Sequence, residues 1–311
     1  MRVKKPKFWD YNKPNFLSYL LLPLTFPIII NNFFKKKNNS KYQNIKTICI
    51  GNIYIGGTAK TPLAIKLYKI LGNLGYKTAT IKKYYKDQND ENKLLSNKTH
   101  LYNMDTRVKS LNEAIKDKIK VAIFDDGLQD KTIDYDLCFV CFNNDSGIGN
   151  GFLIPAGPLR ENLSNIKNYD GIFLNGNEED TFEFKRLINS YNANIKIFET
   201  YYLPTNIEEL DRSSRYLIFS GIGNPNTFQK TLTKHKFNVV KSIEFPDHYQ
   251  YTKENIEKIK LQAKNLNAKI LTTEKDYVKI EELDCTEINF LKVDLVIKKE
   301  EELINFIKLK L

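Results

Sequence analysis

The segment that most constrains the fold is the glycine-rich stretch from Gly51 to Pro62, which joins two runs of different periodicity. Ile45–Ile50 is a short apolar run that predicts a buried strand, and Pro62–Leu74 has the spacing of a helix. When small residues follow a strand and open a helix, their backbone N–H groups and the positive helix end can bind phosphate oxygens. The sequence therefore predicts an α/β sheet with a nucleotide site at the carboxyl end of this strand.

Within this stretch, Lys60 is predicted to reach the β- and γ-phosphates of ATP, and the Thr61 hydroxyl to ligate Mg²⁺. The residues predicted to enclose the nucleotide phosphates are Gly56, Gly57, Thr58, Ala59, Lys60 and Thr61. The phosphate-loop pattern G-x-x-x-x-G-K-[ST] is met imperfectly, because Tyr54 and Ala59 stand where it has glycine. A left-handed backbone at Ala59 would cost about 1–2 kcal/mol. Taken alone, the loop is also compatible with an ordinary strand-to-helix turn.

A second candidate element is the apolar run Val121–Phe124, which ends in the acids Asp125 and Asp126. In nucleotide-binding proteins of the P-loop type, a carboxylate at the end of a neighbouring strand holds the metal or its water beside the loop. Asp125 and Asp126 are therefore predicted Mg²⁺ ligands together with Thr61, and Asp126 is also a candidate catalytic residue. By itself, a strand that ends in Asp-Asp-Gly is more often a turn.

Apolar runs and helical stretches alternate through the rest of the chain, which is typical of mostly parallel sheets covered on both faces. The further predicted strands are Lys77–Ile81, Tyr135–Phe142, Gly171–Leu174, Ile195–Tyr201, Tyr216–Ser220, Phe237–Ile243 and Lys269–Thr273. Further helices are predicted over Asn226–Lys234 and Lys253–Leu266. Because 311 residues exceed one typical core, we expect two α/β domains, residues 41–165 and 166–311.

The N-terminal residues 1–40 contain an apolar stretch, Phe16–Phe34, with lysines on both sides. Pro23 and Pro27 interrupt it, whereas a membrane-spanning helix needs about 20 continuous apolar residues. The pattern favours a segment that lies in the membrane interface, with lysines on anionic headgroups. A helical hairpin packed on the core is the alternative.

Composition argues against two other kinds of function. The formal net charge is +11, but only six of the 48 basic residues are arginine, which is typical of an AT-rich genome in which lysine replaces arginine throughout. No nucleic-acid recognition motif accompanies the charge. We therefore expect no nucleic-acid partner. Cys138 and Cys141 have C-x-x-C spacing inside an apolar strand, where residues three apart face opposite sides, so core packing is favoured over metal or redox chemistry.

Three signatures in order along the chain resemble the tetraacyldisaccharide 4′-kinases. They are Gly-Gly-Thr-Ala-Lys-Thr-Pro at 56–62, Asp-Asp-Gly-Leu-Gln at 125–129 and Gly-Asn-Gly-Phe-Leu-Ile-Pro-Ala-Gly-Pro-Leu-Arg-Glu at 149–161. The resemblance implies a P-loop kinase with two α/β/α sandwich domains and an N-terminal membrane-associating segment. It also implies that ATP phosphorylates the 4′-hydroxyl of a tetraacylated glucosamine disaccharide 1-phosphate, giving lipid IVA, at the cytoplasmic face of a bacterial inner membrane. We expect a monomer.

The resemblance also implies roles for residues outside the loop. Asp90 lies where the family has Gly-Asp-Glu-Pro and is the candidate base that accepts the sugar hydroxyl proton, with His248 of Phe-Pro-Asp-His as its partner. The further candidates are Gln129 for the nucleotide and Asn150, Arg160 and Glu161 for the lipid substrate. Alternative interpretations remain: a solvated loop for Asp90, a surface or core residue for His248, and a structural ion pair for Arg160.

The chain departs from the family after its second strand. The family has a Ser-Arg-Gly-Tyr-Gly-like segment and then a longer loop, whereas here Ile81–Lys86 reaches Asp90 after a short connection. Asp130 also follows Gln129 where the family often has His. Two other functions therefore stay open from the sequence: a P-loop kinase or NTPase that acts on a soluble substrate, and a membrane-peripheral protein whose nucleotide site has decayed.

Overall fold

Two sheets, each with helices on both faces, form the framework of the protein, as the alternation of apolar runs predicts. The structure is a computed structural model that describes residues 5–27, 29–30, 41–85, 89–176 and 180–311, with the backbone alone at residue 89. The predicted fold class, α/β with mostly parallel sheets, is confirmed. The last residues of the predicted membrane-associating stretch, 31–34, lie outside the described residues.

The larger sheet has eight described strands in the order β12-β7-β6-β5-β1-β4-β2-β3. Its strands are β1 (Lys46–Gly51), β2 (Thr78–Lys83), β3 (Leu101–Met104), β4 (Val121–Asp125), β5 (Leu137–Asn143), β6 (Gly171–Asn175), β7 (Lys196–Pro204) and β12 (Val293–Ile297). All neighbouring pairs are parallel except β12 with β7. Strand β1 is central and buried after its first residue, so the loop that follows it begins at the middle of the sheet edge.

Helices cover both faces of this sheet. They are α2 (Lys60–Asn73), α3 (Asn89–Lys98), α4 (Arg107–Lys116), α5 (Phe182–Tyr191) and α9 (Glu300–Lys310). Successive side chains of β1 alternate between the two faces. Ile48 and Ile50 pack with the apolar residues of α2. Cys49 packs with those of α4. The result is a three-layer α/β/α sandwich.

The smaller sheet has four described strands in the order β11-β10-β8-β9 and is entirely parallel. Its strands are β8 (Arg215–Ser220), β9 (Asn238–Glu244), β10 (Lys269–Thr273) and β11 (Ile288–Leu291). Its helices are α6 (Pro225–Lys234), α7 (Lys253–Asn265) and α8 (Glu274–Ile280). Apolar clusters lie on both faces of this sheet as well, for example around Phe228 on one and Ile256 on the other.

The division of strands between the sheets does not follow the boundary expected near residue 166. Strands β6 and β7 extend the larger sheet beyond β5, and β12 returns to pair with β7 at its edge. The smaller sheet is therefore built from strands between residues 215 and 291. The apolar pattern locates strands but does not state which sheet they join, because strand pairing is a long-range choice.

The N-terminal segment docks through a few anchors, and most of its apolar side chains that the structure describes are exposed. It contains 3₁₀ turns at Lys7–Asp10 and Leu22–Thr25 and the short helix α1 (Phe16–Leu21). The Trp9 indole donates to the Pro155 carbonyl at 3.0 Å, and Ser18 is buried. A few residues of the segment thus pack against the rest of the protein, whereas its other apolar side chains are exposed. Neither the interfacial nor the packed alternative accounts for both observations. Among the described residues, no helix has the length and apolar character that crossing a bilayer requires.

Candidate active site

The loop between β1 and α2 has the backbone of a phosphate-binding loop. Ala59 adopts the left-handed conformation, with φ 64° and ψ 22°, immediately before α2. This is the conformation at which alanine was expected to cost about 1–2 kcal/mol relative to a residue free of the Cβ penalty. Thr58 is buried, and its hydroxyl has no hydrogen-bond partner among the residues that the structure describes. The loop thus keeps a buried polar group that an oxyanion could satisfy.

Lys60 and the acids of β4 meet at the same edge of the larger sheet. The Lys60 Nζ lies 3.9 Å from Asp126 Oδ1, and an Arg160 Nη1 lies 3.3 Å from the same oxygen. Burial would raise the pKa of Asp126, but the charges of Lys60 and Arg160 lower it below its usual value. Asp126 is therefore ionised near neutral pH, and two cations converge where phosphate oxygens would lie.

Asp125 lies beside the start of α2 and is fully buried. Its Oδ2 accepts hydrogen bonds from the Thr61 hydroxyl and the Lys82 ammonium, both at 2.8 Å. Its Oδ1 is buried and has no hydrogen-bond partner among the described residues. A free carboxylate oxygen next to a threonine hydroxyl fits Mg²⁺, which commonly uses one or two carboxylates and takes its other ligands from phosphates and water. Among the described residues, no group of three or more His, Cys, Asp or Glu side chains is placed to hold a metal ion.

Asp90, in the first turn of α3, and His248, in the loop after β9, come from different α/β units and meet in a direct contact. The Nδ1 of His248 lies 2.9 and 3.0 Å from the two carboxylate oxygens of Asp90. Lys275 and Lys279 approach the same carboxylate at 3.6 and 3.9 Å. Burial would raise the pKa of Asp90, but the hydrogen bond from His248 and the two lysine charges lower it to about 2. The candidate base is thus held as a carboxylate within a basic pocket.

Glu91 lies between the Asp90–His248 pair and Asp125, which is a predicted metal ligand. Its carboxylate lies 2.6 Å from the Lys82 Nζ, 3.2 Å from the Lys275 Nζ and 3.6 Å from the His248 Nε2. Burial would raise the pKa of Glu91, but Lys82 and the other cations lower it well below its usual value. A continuous chain of contacts therefore runs from Thr61 through the acids to the second sheet.

The sequence interpretation missed Lys82, Glu91 and Lys275, although signals for them were present. Lys82 is a lysine inside a strand that is otherwise buried. Such a residue is almost never buried without a partner. Lys275 lies in the Thr-Glu-Lys-Asp segment that begins α8. Periodicity alone shows neither contact, because each partner is distant in sequence.

Gln129, Glu161 and Arg160 join the loops around Asp126. The Gln129 side-chain amide donates to the Asn52 carbonyl at 3.0 Å and to Glu161 Oε1 at 2.9 Å. Arg160 donates to Gln129 Oε1 at 3.3 Å as well as to Asp126. These contacts place Gln129 and Arg160 beside the phosphate loop. Their predicted roles in nucleotide and lipid binding stay predictions.

Asn150 lies apart from this network and is buried against the N-terminal segment. Its side-chain amide donates to the Ser18 hydroxyl and to the Ala156 carbonyl, both at 2.9 Å, and its Oδ1 accepts from the Phe152 amide at 3.1 Å. The structure thus shows Asn150 holding the N-terminal segment to the 149–160 loop. Its predicted role in binding substrate stays a prediction.

The phosphate loop also touches the smaller sheet's side of the molecule. A Cβ added to Gly223 would lie 2.4 Å from the Gly57 nitrogen, so the two backbones are in direct contact. Lys98 of α3 reaches Glu274 of α8 at 2.7 Å. The candidate site therefore lies where the two α/β units meet, with the loop and acids on one side and His248 and Lys275 on the other.

Comparison with known proteins identifies what the chain is similar to. The sequence profile of the family described as tetraacyldisaccharide-1-P 4′-kinase matches residues 19–311. A tetraacyldisaccharide 4′-kinase of Pelagibacter ubique is 52% identical over 307 residues, which is 98% of this chain and 97% of that protein. One from Rickettsia canadensis is 34% identical over 308 residues, which is 91% and 90% of the two chains.

The fold also has a solved counterpart. The crystal structure of LpxK from Aquifex aeolicus in complex with ATP superimposes with a TM-score of 0.70, covering 94% of this chain and 98% of that one. The two sequences are 23% identical in that comparison, so this likeness speaks to the fold.

Proposed function

The chain belongs to the tetraacyldisaccharide 4′-kinase family, and we propose that it transfers the γ-phosphate of ATP to the 4′-hydroxyl of a tetraacylated disaccharide 1-phosphate, forming lipid IVA. The observation that carries the proposal is one chain of contacts. Lys60 lies 3.9 Å from Asp126, Lys82 bridges Asp125 to Glu91, and Asp90 next to it contacts His248. Nucleotide, metal and acceptor groups therefore share one site.

Lys60 and Arg160 bind and neutralise the phosphate oxygens in this proposal. Phosphoryl transfer depends mainly on positioning and on neutralising charge. Thr61 and Asp125 would hold Mg²⁺, with Asp126 close by, and the ion when bound supplies positive charge to the β- and γ-phosphates. Asp125 Oδ1 supports this assignment because it is buried and has no hydrogen-bond partner among the described residues.

Asp90 orients the 4′-hydroxyl and accepts its proton. In the transfer, the sugar oxygen forms a bond to the γ-phosphorus, the bond from that phosphorus to the ADP oxygen breaks, and the hydroxyl proton passes to the Asp90 carboxylate. A carboxylate with a pKa of about 2 is a weak base. Proton transfer therefore comes late, when the attacking oxygen has become acidic through bonding to phosphorus. His248 keeps the carboxylate aligned at 2.9 Å.

The N-terminal segment is placed to meet a lipid surface. Its exposed apolar side chains are Phe16, Leu17, Tyr19, Leu20, Leu22, Leu24, Phe26, Ile29 and Ile30. A contiguous exposed apolar surface is typical of a membrane or partner contact. We propose that these side chains enter the interface of an anionic inner membrane at its cytoplasmic face, where the protein takes up its lipid substrate as a monomer.

The direct test is a transfer assay. Purified protein with MgATP and tetraacyldisaccharide 1-phosphate in detergent is expected to yield a bisphosphorylated lipid, seen by mass spectrometry, with ADP released in equal amount. Folded protein that forms no product at any detergent concentration would overturn the proposal. Lipid-independent phosphorylation of a soluble alcohol, or a preference for GTP, would favour the soluble-substrate kinase. Vesicle binding without measurable ATP affinity would indicate a decayed nucleotide site.

A further inference from the structure

Lys82 is a charged side chain in a buried strand, and the transfer steps above assign it no role. Its side chain is 2% exposed. Its Nζ lies 2.8 Å from Asp125 Oδ2 and 2.6 Å from Glu91 Oε2. Both distances are those of charge-assisted hydrogen bonds, so the buried ammonium has a carboxylate on each side. A buried charge persists only with partners, and here both partners belong to the candidate site.

The two contacts of Lys82 join elements that lie apart along the chain. Asp125 ends β4, next to β2 in the sheet, whereas Glu91 lies in the first turn of α3, directly after Asp90. From the end of β2 at Lys83, the chain reaches α3 at residue 89. The ammonium therefore holds the start of α3 against the end of β4, which carries Asp125, the proposed metal ligand.

Without this cation, Asp125 and Glu91 would face each other as like charges in a poorly solvated site. Asp125 Oδ2 would keep only the Thr61 hydroxyl as a described partner, and Glu91 would be drawn toward Lys275 and His248 on the other unit. The first turn of α3 would then lose its tether to the phosphate-loop side. Because Asp90 belongs to this turn, its distance from the γ-phosphate would no longer be set.

We propose that Lys82 is a positioning residue for phosphoryl transfer: its ammonium clamps Glu91 to Asp125 and thereby sets Asp90 against the phosphate loop. The kinetic part of this inference rests on the proposed function.

The matched pair of variants is Lys82→Met and Lys98→Met. Lys98 lies in the last turn of the same helix and pairs with Glu274 at 2.7 Å, so both substitutions remove one lysine–carboxylate contact of α3. Hydrogen exchange measured by mass spectrometry on the full chain is expected to rise at least tenfold in peptides that cover Asp90 and Glu91 for Lys82→Met. Lys98→Met is expected to leave exchange in this first turn within twofold. Equal exchange in both variants would overturn the clamp without reference to activity.

The kinetic arm compares the same variants in the lipid assay. Lys82→Met is expected to lower kcat at least tenfold with the KM for ATP within threefold, because the phosphate loop is intact. A purely structural role would lower the thermal midpoint but leave kcat per folded molecule unchanged, and that result would overturn the proposal. A fall in kcat equalled by Lys98→Met would also overturn it, since any loosening of α3 would then suffice.

Glu91→Gln removes the other end of the clamp with little change of shape. If Lys82→Met does not fold, Glu91→Gln is expected to show the same rise in exchange over the first turn of α3, and unchanged exchange there would overturn the proposal. If the wild-type protein forms no lipid product while the exchange results hold, the proposed function fails and the clamp stands. If wild type is active and the exchange is unchanged, only the clamp fails.

Discussion

Lys60 is the residue whose charge is proposed to face the ATP phosphates. It begins α2 after the left-handed Ala59, and its Nζ lies 3.9 Å from Asp126 Oδ1. We expect Lys60→Ala to lower kcat/KM by at least 10²-fold, because a phosphoryl-transfer site loses charge that it needs most in the transition state. Thermal unfolding should change little.

The control for this variant is Lys66→Ala on the same helix. It removes an ion pair in which the Lys66 Nζ lies 2.7 Å from Glu300 Oε2, and this pair is outside the loop. It is expected to keep kcat/KM within twofold. Near-normal transfer by Lys60→Ala would remove the phosphate-loop assignment.

Asp90 couples the stability of the fold to pH through its lowered pKa. Since the pKa falls from 3.8 to about 2, the ionised carboxylate stabilises the fold. A shift of this size corresponds to about 2–3 kcal/mol. This contribution is complete above about pH 4 and is lost as the pH falls through 2. Asp90→Asn should therefore lower the free energy of unfolding most near neutral pH, and the difference from wild type should shrink between pH 4 and pH 2.

The same variant tests the role of Asp90 in transfer. Asp90→Asn is expected to lower kcat at least 10²-fold while ATP affinity stays within threefold, as the amide cannot accept the hydroxyl proton. Measurement of kcat and of ATP binding by titration separates the two. A variant in which only the KM moves would show that Asp90 is not the base.

At the scale of helices and strands, the N-terminal segment offers a clean substitution. Phe16 is 79% and Leu20 is 61% exposed in α1, so replacing both with Glu should leave the fold intact. Burying a Phe or Leu side chain contributes about 1.5–3 kcal/mol each. We therefore expect at least a tenfold loss of binding to anionic vesicles in a sedimentation assay.

The matched control is Phe182→Glu, which alters a 63% exposed aromatic on α5 outside the N-terminal segment. Unchanged vesicle binding by the double variant would show that this surface does not enter the membrane. Deleting the whole segment would be a less specific test than the double substitution. Trp9 and Ser18 are buried anchors of the 149–160 loop, so a truncation would disturb that loop as well.

Local patterns predicted most of the described strands but few of the described helices, and they did not predict how the strands pair. The predicted strand Lys269–Thr273 has the observed bounds, and the helix predicted from Pro62 begins two residues earlier at Lys60. A run of apolar residues predicts such an element because residues that are close together in sequence are buried together. The return of β12 to the larger sheet and the Lys82–Asp125 pair depend on contacts between distant residues, which one sequence does not display. For the same reason, the loop and the acids could be predicted, but the contacts that the lysines make between them could not.

At the scale of the whole molecule, the site depends on two units meeting at a polar seam. The phosphate loop belongs to the unit built on the larger sheet. His248 and Lys275 belong to the unit built on the smaller sheet. Charged contacts such as Lys98 with Glu274 and Lys230 with Asp145 lie along this seam. Partly exposed ion pairs contribute little each, about 0–1 kcal/mol. Buried contacts across the same seam, such as Asp90 with His248, contribute more, and one close backbone contact joins the two units at the phosphate loop.

That contact is Gly57 against Gly223, and it supplies the last prediction. A Cβ at Gly223 would lie 2.4 Å from the Gly57 nitrogen and 3.0 Å from Asp247 Oδ2, so Gly223→Ala must push the loop or the smaller unit away. Because the seam yields more easily than either core, the thermal midpoint should fall only slightly. The displaced loop should lower kcat/KM for ATP 10- to 100-fold, since a misplacement of about 1 Å has effects of this size. Gly72→Ala is the control, as its added Cβ meets no heavy atom within 4 Å and alanine suits a helix better than glycine. Full activity in Gly223→Ala, with the variant folded, would mean that transfer takes place with the two glycines apart.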